Sequence, residues 1–114
     1  MTKRHDQVYI EHMAKAAELT IAFVQGITKE QFEKDLMRQS AVMKQLEIIG
    51  EAAGNLSEKF RSDHPAIPWK KIIGMRNILI HAYHRANMDT IWRTTQKSIP
   101  SLLSNLKKIS SVSS

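Results

Sequence analysis

Between Met75 and His84 the chain reads Met-Arg-Asn-Ile-Leu-Ile-His-Ala-Tyr-His. This short stretch holds a fixed cation (Arg76), an amide (Asn77), two imidazoles (His81 and His84) and a phenol (Tyr83). Together they could cut RNA. The ribose 2′-hydroxyl is a built-in nucleophile, so such a reaction obliges the protein to supply neither a nucleophile nor a metal. It needs a group that moves protons near neutral pH and a cation for the charge that builds on the phosphoryl oxygens. An imidazole, with a pKa of about 6.5, suits the first task. A planar, permanently charged guanidinium suits the second. The same residues admit other uses. His81 and His84 could be half a metal site, although there is no cysteine and no Glu-x-x-His pair accompanies them. Arg76 could pair with Glu47 or Glu51, and Tyr83 could be an ordinary half-buried helix residue.

These side chains need a helix to display them. At about 100° per residue, Ile72, Met75, Ile78, Leu79 and Ala82 fall on one side, a face for a core. Arg76, Asn77, His81, Tyr83 and His84 fall on the other, within roughly 160° of arc. Ile73 and Ile80 sit in the middle of that polar arc, which makes sense if the face is covered, for instance by a second copy of the chain. Arg76 and His81 stand about 140° apart and flank a site rather than touch. Two antiparallel copies across a two-fold axis would bring two arginines and two histidines around one groove. Asn77, one turn before His81, is placed to orient its ring. Tyr83 lies about 20° around the helix from Arg76 and opens onto the same groove.

The rest of the chain reads as scaffold. Ile10, Met13, Ala14, Ala17, Ile21 and Val24 follow helical spacing from about Asp6 to Gln25, and Gly26 ends that helix. Thr28-Lys-Glu-Gln31 has the form of a capping box opening a short turn, with Phe32 as its anchor. Asp35 is the expected N-cap of a second long helix to about Gly54, with Leu36, Met43, Leu46, Ile49 and Ala53 as its stripe. Arg38, Gln39 and Gln45 are its polar residues of interest. Gly50 and Gly54 cost roughly 1 kcal/mol each inside a helix, which points to close approach of another one. Ser57-Glu-Lys-Phe60 begins a further turn before a breaker-rich loop, Ser62-Asp-His-Pro-Ala-Ile-Pro68. The helix carrying the Arg76 stretch follows, with Pro68 in its first turn. Asn87 is the expected N-cap of a last helix from about Met88 to Ile109, kinked at Pro100. Ser110 to Ser114 is expected to fray. With no strand pattern anywhere, the expectation is one all-α domain over residues 1–114, an up-and-down bundle of four main helices plus short helical turns.

Composition narrows the partners. The chain has 114 residues, 42% of them hydrophobic, enough for a real core. No apolar run approaches the ~20 residues that would span a bilayer, so no membrane partner is expected. The first residues, Met-Thr-Lys-Arg-His-Asp, are too polar for a signal peptide, and a cytoplasmic protein is the expectation. A net charge of +6 favours a polyanion such as RNA or DNA, though many small basic proteins bind no nucleic acid.

Arg76-Asn-Ile-Leu-Ile-His81-Ala-Tyr83 resembles the Arg-x-x-x-x-His-x-Tyr motif of HEPN-domain ribonuclease toxins, specifically the HepT-like family. Ala41-Val-Met-Lys-Gln-Leu-Glu-Ile-Ile-Gly-Glu-Ala-Ala53 is similar to that family's second-helix signature. His64-Pro-Ala-Ile-Pro-Trp69 with Ile73-Gly-Met-Arg76 is similar to its approach to the catalytic helix, and Asp89-Thr-Ile-Trp92 with Ile99-Pro100 to its last helix. The likeness runs from about Phe32 to Leu106. Ala82 and His84 depart from the residues usual beside the motif tyrosine. The resemblance implies a homodimeric, metal-independent ribonuclease with a HEPN fold and no cofactor, the toxin of a toxin–antitoxin pair. Arg76 and His81 would catalyse transesterification to a 2′,3′-cyclic phosphate, with Asn77 in support. It also implies a cognate MNT-type nucleotidyltransferase antitoxin that transfers AMP from ATP to the tyrosine, here Tyr83. The rival is a non-catalytic HEPN module that binds a nucleotidyltransferase or a nucleotide and cleaves nothing.

Overall fold

Apolar spacing and side-chain caps account for most of the helices. In the computed structural model the described residues are 4–80 and 85–113, and no strand occurs among them. Helix α1 (Arg4–Val24) buries Ile10, Met13, Ala17 and Val24. Gly26 follows at φ 74°, a left-handed conformation that suits glycine at a helix end. Thr28 then closes both arms of a capping box on α2 (Lys29–Glu33): Gln31 N–H donates to Thr28 Oγ1 (3.1 Å), and Thr28 N–H donates to Gln31 Oε1 (2.9 Å). Phe32 is fully buried.

Helix α3 (Leu36–Gly54) starts where expected, with Asp35 accepting from the Arg38 N–H at 3.0 Å. Its stripe differs at the start. Leu36 is 75% exposed, and the inward place one turn later belongs to Gln39. Gln39 Nε2 donates to the carbonyls of Phe32 (2.9 Å) and Glu33 (3.0 Å), satisfying the end of α2. Arg38 is likewise occupied, donating through Nε to Asp35 (3.1 Å) and through a terminal nitrogen to the Phe23 carbonyl. Both residues that looked available for chemistry hold the α1–α2–α3 corner together.

Ser57 caps α4 (Glu58–Asp63), and its N–H and Oγ–H each donate to the buried Asp6 carboxylate at 2.8 Å. Trp69 opens α5 (Trp69–Ile73), its indole N–H donating to the His64 carbonyl at 2.9 Å. The single helix expected through the Arg76 stretch is broken at Gly74, where ψ of −7° leaves the helical range. The chain tightens there, Asn77 N–H donating to Gly74 O at 3.0 Å, before α6 (Met75–Ile80) continues. A Cβ at Gly74 would stand 3.1 Å from the Lys70 carbonyl oxygen, so this tight turn is made for glycine.

Helical structure resumes at α7 (Arg85–Arg93), so Asn87 lies inside a helix and is not its N-cap. Contacts with α2 hold α7: Lys29 pairs with Asp89, and the Phe32 and Trp92 rings lie 5.4 Å apart. Pro100 disturbs the backbone as expected, but as a π turn over Thr94–Ser98 rather than as a simple kink. There Ile99 N–H reaches back five residues to Thr94 O. That wider turn relieves the crowding a proline ring causes against the preceding turn. Helix α8 (Ile99–Ser113) ends beyond the expected Ile109. α1 packs on both α3 and α8, while α5 and α6 lie against the other flank of α3. Ile10, Met13, Val42, Leu46, Ile49, Ile72, Met75, Ile91, Ile99 and Leu106 meet in one core. Among the described residues, no helix is long and apolar enough to cross a membrane.

Candidate active site

Arg76 and Asn77 are the second and third residues of α6. Ile72 and Met75 beside them are 1% and 2% exposed, so the start of the apolar side faces the core as its spacing predicts. Arg76 and Asn77 are exposed on the opposite side. The stretch packs closely on Gly50 of α3. A Cβ built there would lie 3.4 Å from Arg76 Cγ, 3.4 Å from Ile72 O and 3.7 Å from Ile73 O. The α5–α6 junction therefore rests about one methyl's breadth from the α3 backbone, with the arginine stem laid across it. Gly54 has open space instead, so the expected close approach occurs at Gly50 alone of the two.

Among the described residues no carboxylate lies within 4.0 Å of Arg76, so the pairing with Glu47 or Glu51 is not formed. Among the described residues, displaced pKa values belong to Lys29, Asp35 and Asp89. The Lys29 ammonium is raised by its hydrogen bond to Asp89, and the Asp89 carboxyl is lowered by the same bond. The Asp35 carboxyl is lowered chiefly by the Arg38 backbone N–H.

His81, Tyr83 and His84 lie outside the described residues, so the structure brings Arg76 and Asn77 together and leaves the other members to the sequence. Ile73, the first apolar intruder in the polar arc, is half-buried within the chain itself, packed against the core on the α5 side of the Gly74 turn. The sequence argument for a covering second copy then rests on Ile80. Sequence reasoning passed over Arg61 and Lys70, which border a cleft one turn before Arg76. Their only signal was position, one on each side of the proline-rich loop.

A family model described as Ribonuclease HepT-like matches residues 13–109, from the middle of α1 through most of α8. The chain belongs to the HepT-like ribonuclease family. A protein of Caldanaerobacter subterraneus subsp. tengcongensis, named as a putative RNase, is 46% identical over 89% of this chain and 90% of its own length. One of Thermococcus cleftensis, named as a probable ribonuclease HepT, is 41% identical over 94% of this chain and 97% of its own. A Methanocaldococcus jannaschii protein, named as a putative RNase, is 33% identical over 90% of this chain and 94% of its own. No solved structure matches. The all-α bundle is thus a HEPN-type fold, and the HepT-like match spans the whole of Arg76 to Tyr83.

Proposed function

We propose that this HepT-like chain is a metal-independent endoribonuclease, the toxin of a HEPN/MNT pair, working as a homodimer with its site at the dimer interface. The observation that carries the reading is Arg76: exposed, seated by its stem on Gly50, and without a carboxylate partner among the described residues. A fixed guanidinium held in this way is available to a phosphate. The ribonuclease names of the relatives agree with it.

In the proposed reaction His81 takes the proton of a ribose 2′-hydroxyl. The 2′-oxygen attacks phosphorus, and the bond to the 5′-oxygen breaks. The 5′-oxygen leaves and takes up a proton, and a 2′,3′-cyclic phosphate remains. Arg76 stabilises the charge on the phosphoryl oxygens, and Asn77 orients the imidazole. Tyr83 is the acceptor of AMP from the cognate nucleotidyltransferase. A bulky anion there would stand beside the arginine that holds the substrate phosphate.

The test is cleavage of a labelled RNA. Arg76→Ala should lower the rate by about 10²–10³-fold and His81→Ala by about 10²–10⁴-fold, with helical circular dichroism unchanged. Cleavage should persist in EDTA. Loss in EDTA that zinc or manganese restores would move the mechanism to a His81/His84 metal site. A wild-type protein that binds the nucleotidyltransferase but cuts no RNA would be the non-catalytic module. With the transferase, ATP and magnesium, intact-mass spectrometry should show AMP added to wild type and none to Tyr83→Phe.

A further inference from the structure

On the α5 side of the Gly74 turn the chain builds a cleft that neither Arg76 nor Asn77 lines. It lies between α4 and α5, has a volume of ≈ 500 Å³, and is lined by Glu58, Arg61, Ser62, Trp69, Lys70 and Ile73. Its walls are fixed from several directions. Asp6 holds Ser57 at the start of α4. The Trp69 indole is pinned by its hydrogen bond to His64 O and by the Phe60 ring, edge-on at 5.9 Å. Trp69 is buried and Ile73 half-buried, so the floor is apolar, while Lys70 is exposed.

Among the described residues neither Arg61 nor Lys70 has a carboxylate within 4.0 Å, Glu58 included. The nearby Lys59 is already paired with Asp63. Lys70 stands on α5 and Arg76 on α6, six residues apart across the Gly74 turn, so the strand that reaches one cation has the other on the next element. Two cations on one cleft, with no carboxylate partner among the described residues, match a ligand whose negative charges repeat. An apolar floor beside it matches a ligand that also offers a flat base. Single-stranded nucleic acid has both properties, and its binding combines phosphate neutralisation with packing of bases on aromatic side chains.

We infer that the α4–α5 cleft is a nucleotide subsite for the RNA strand that crosses Arg76, taking a flanking phosphate on Arg61 and Lys70 and its base against Trp69 and Ile73. Ser62 and Glu58 then face the base edge, where a carboxylate accepts from an exocyclic amino group. This subsite rests on the ribonuclease reading, since its strand is the substrate.

The experiment measures binding and cleavage separately. Binding of a fluorescent single-stranded RNA is followed by anisotropy in the His81→Ala background, across a salt series. The Arg61→Ala/Lys70→Ala pair is compared with Lys107→Ala/Lys108→Ala on α8, after circular dichroism has shown that both are folded. Removing two phosphate contacts should raise Kd about ten-fold or more and flatten the slope of log K against log salt by about 1.4. In the active background the same pair should raise KM with little change in kcat. If wild type cleaves RNA while the cleft pair matches the α8 control in Kd and slope, the subsite is overturned and the ribonuclease reading stands. If wild type neither binds nor cleaves RNA, both fall. If the cleft pair loses the nucleotidyltransferase but not RNA, the cleft is a protein contact and the inference is overturned.

Discussion

Gly50 offers the sharpest test of how the fold serves the site. A methyl group there meets Arg76 Cγ and Ile72 O at 3.4 Å and Ile73 O at 3.7 Å, which is ordinary contact with no room to spare. Gly50→Ala gains about 1 kcal/mol of helix propensity and up to about 0.8 kcal/mol from the buried methyl. Some of that is lost in adjusting the Ile72 carbonyl, which is backbone and cannot swing away. The expected net is a stabilisation of up to about 1 kcal/mol, or roughly 4 °C in Tm for a domain of this size, with activity retained. Gly50→Leu is different in kind. Its further three carbons must enter space already closed by two carbonyls and the arginine stem, at an overpacking cost of about 1–3 kcal/mol. The α5–α6 junction has to lift off α3, carrying Arg76 with it, and a displacement of about 1 Å at a catalytic group can cost about 10²-fold. Thermal melts and RNA cleavage rates on the same samples decide the matter. Gly50→Leu with wild-type Tm and wild-type kcat would refute the idea that this glycine seats the arginine. Gly50→Ala destabilised by several kcal/mol would show that the contact is tighter than the distances imply.

Other expectations follow from particular contacts. Asp6→Ala removes two hydrogen bonds to a buried carboxylate and strands the Ser57 N–H, so urea denaturation should show a loss of about 2–4 kcal/mol. For the exposed Lys29–Asp89 pair, the Asp89 carboxyl is lowered by Lys29, so its contribution is present above about pH 3.9 and is lost as pH falls through the lower folded value. Lys29 is raised by Asp89, so its share is lost only as pH rises past about 10.4, and the Tm gap between wild type and Asp89→Asn should be flat from about pH 5 to 9 and close in acid. Ile80→Asp should yield a monomer by light scattering with its helical dichroism kept; a dimeric Ile80→Asp would place any interface elsewhere.

What the sequence by itself determined is local. Spacing within α1, the Thr28–Gln31 box, the Asp35 cap and the apolar side of the Arg76 stretch all depend on residues within a few positions of each other, where helix geometry alone decides which groups meet. The Arg76-to-Tyr83 motif was legible for the same reason, being a single short string. The tertiary structure decided whatever turned on partners far apart in the chain. Periodicity gave no reason to turn Leu36 outward until Gln39 was seen donating to the end of α2. Asn87 looked like a cap because nothing local revealed that Lys29 and Phe32 hold α7 in place. Gly74 breaks the rod because its backbone must turn tightly over the Lys70 carbonyl. The proline-rich loop read as a connection, yet its carbonyl at His64 fixes Trp69 and so gives the cleft its floor. The seat of Arg76 on Gly50 joins residues 26 positions apart. A sequence shows that a glycine is present in a helix; only the packed fold shows which backbone rests on it and which side chain that leaves outside.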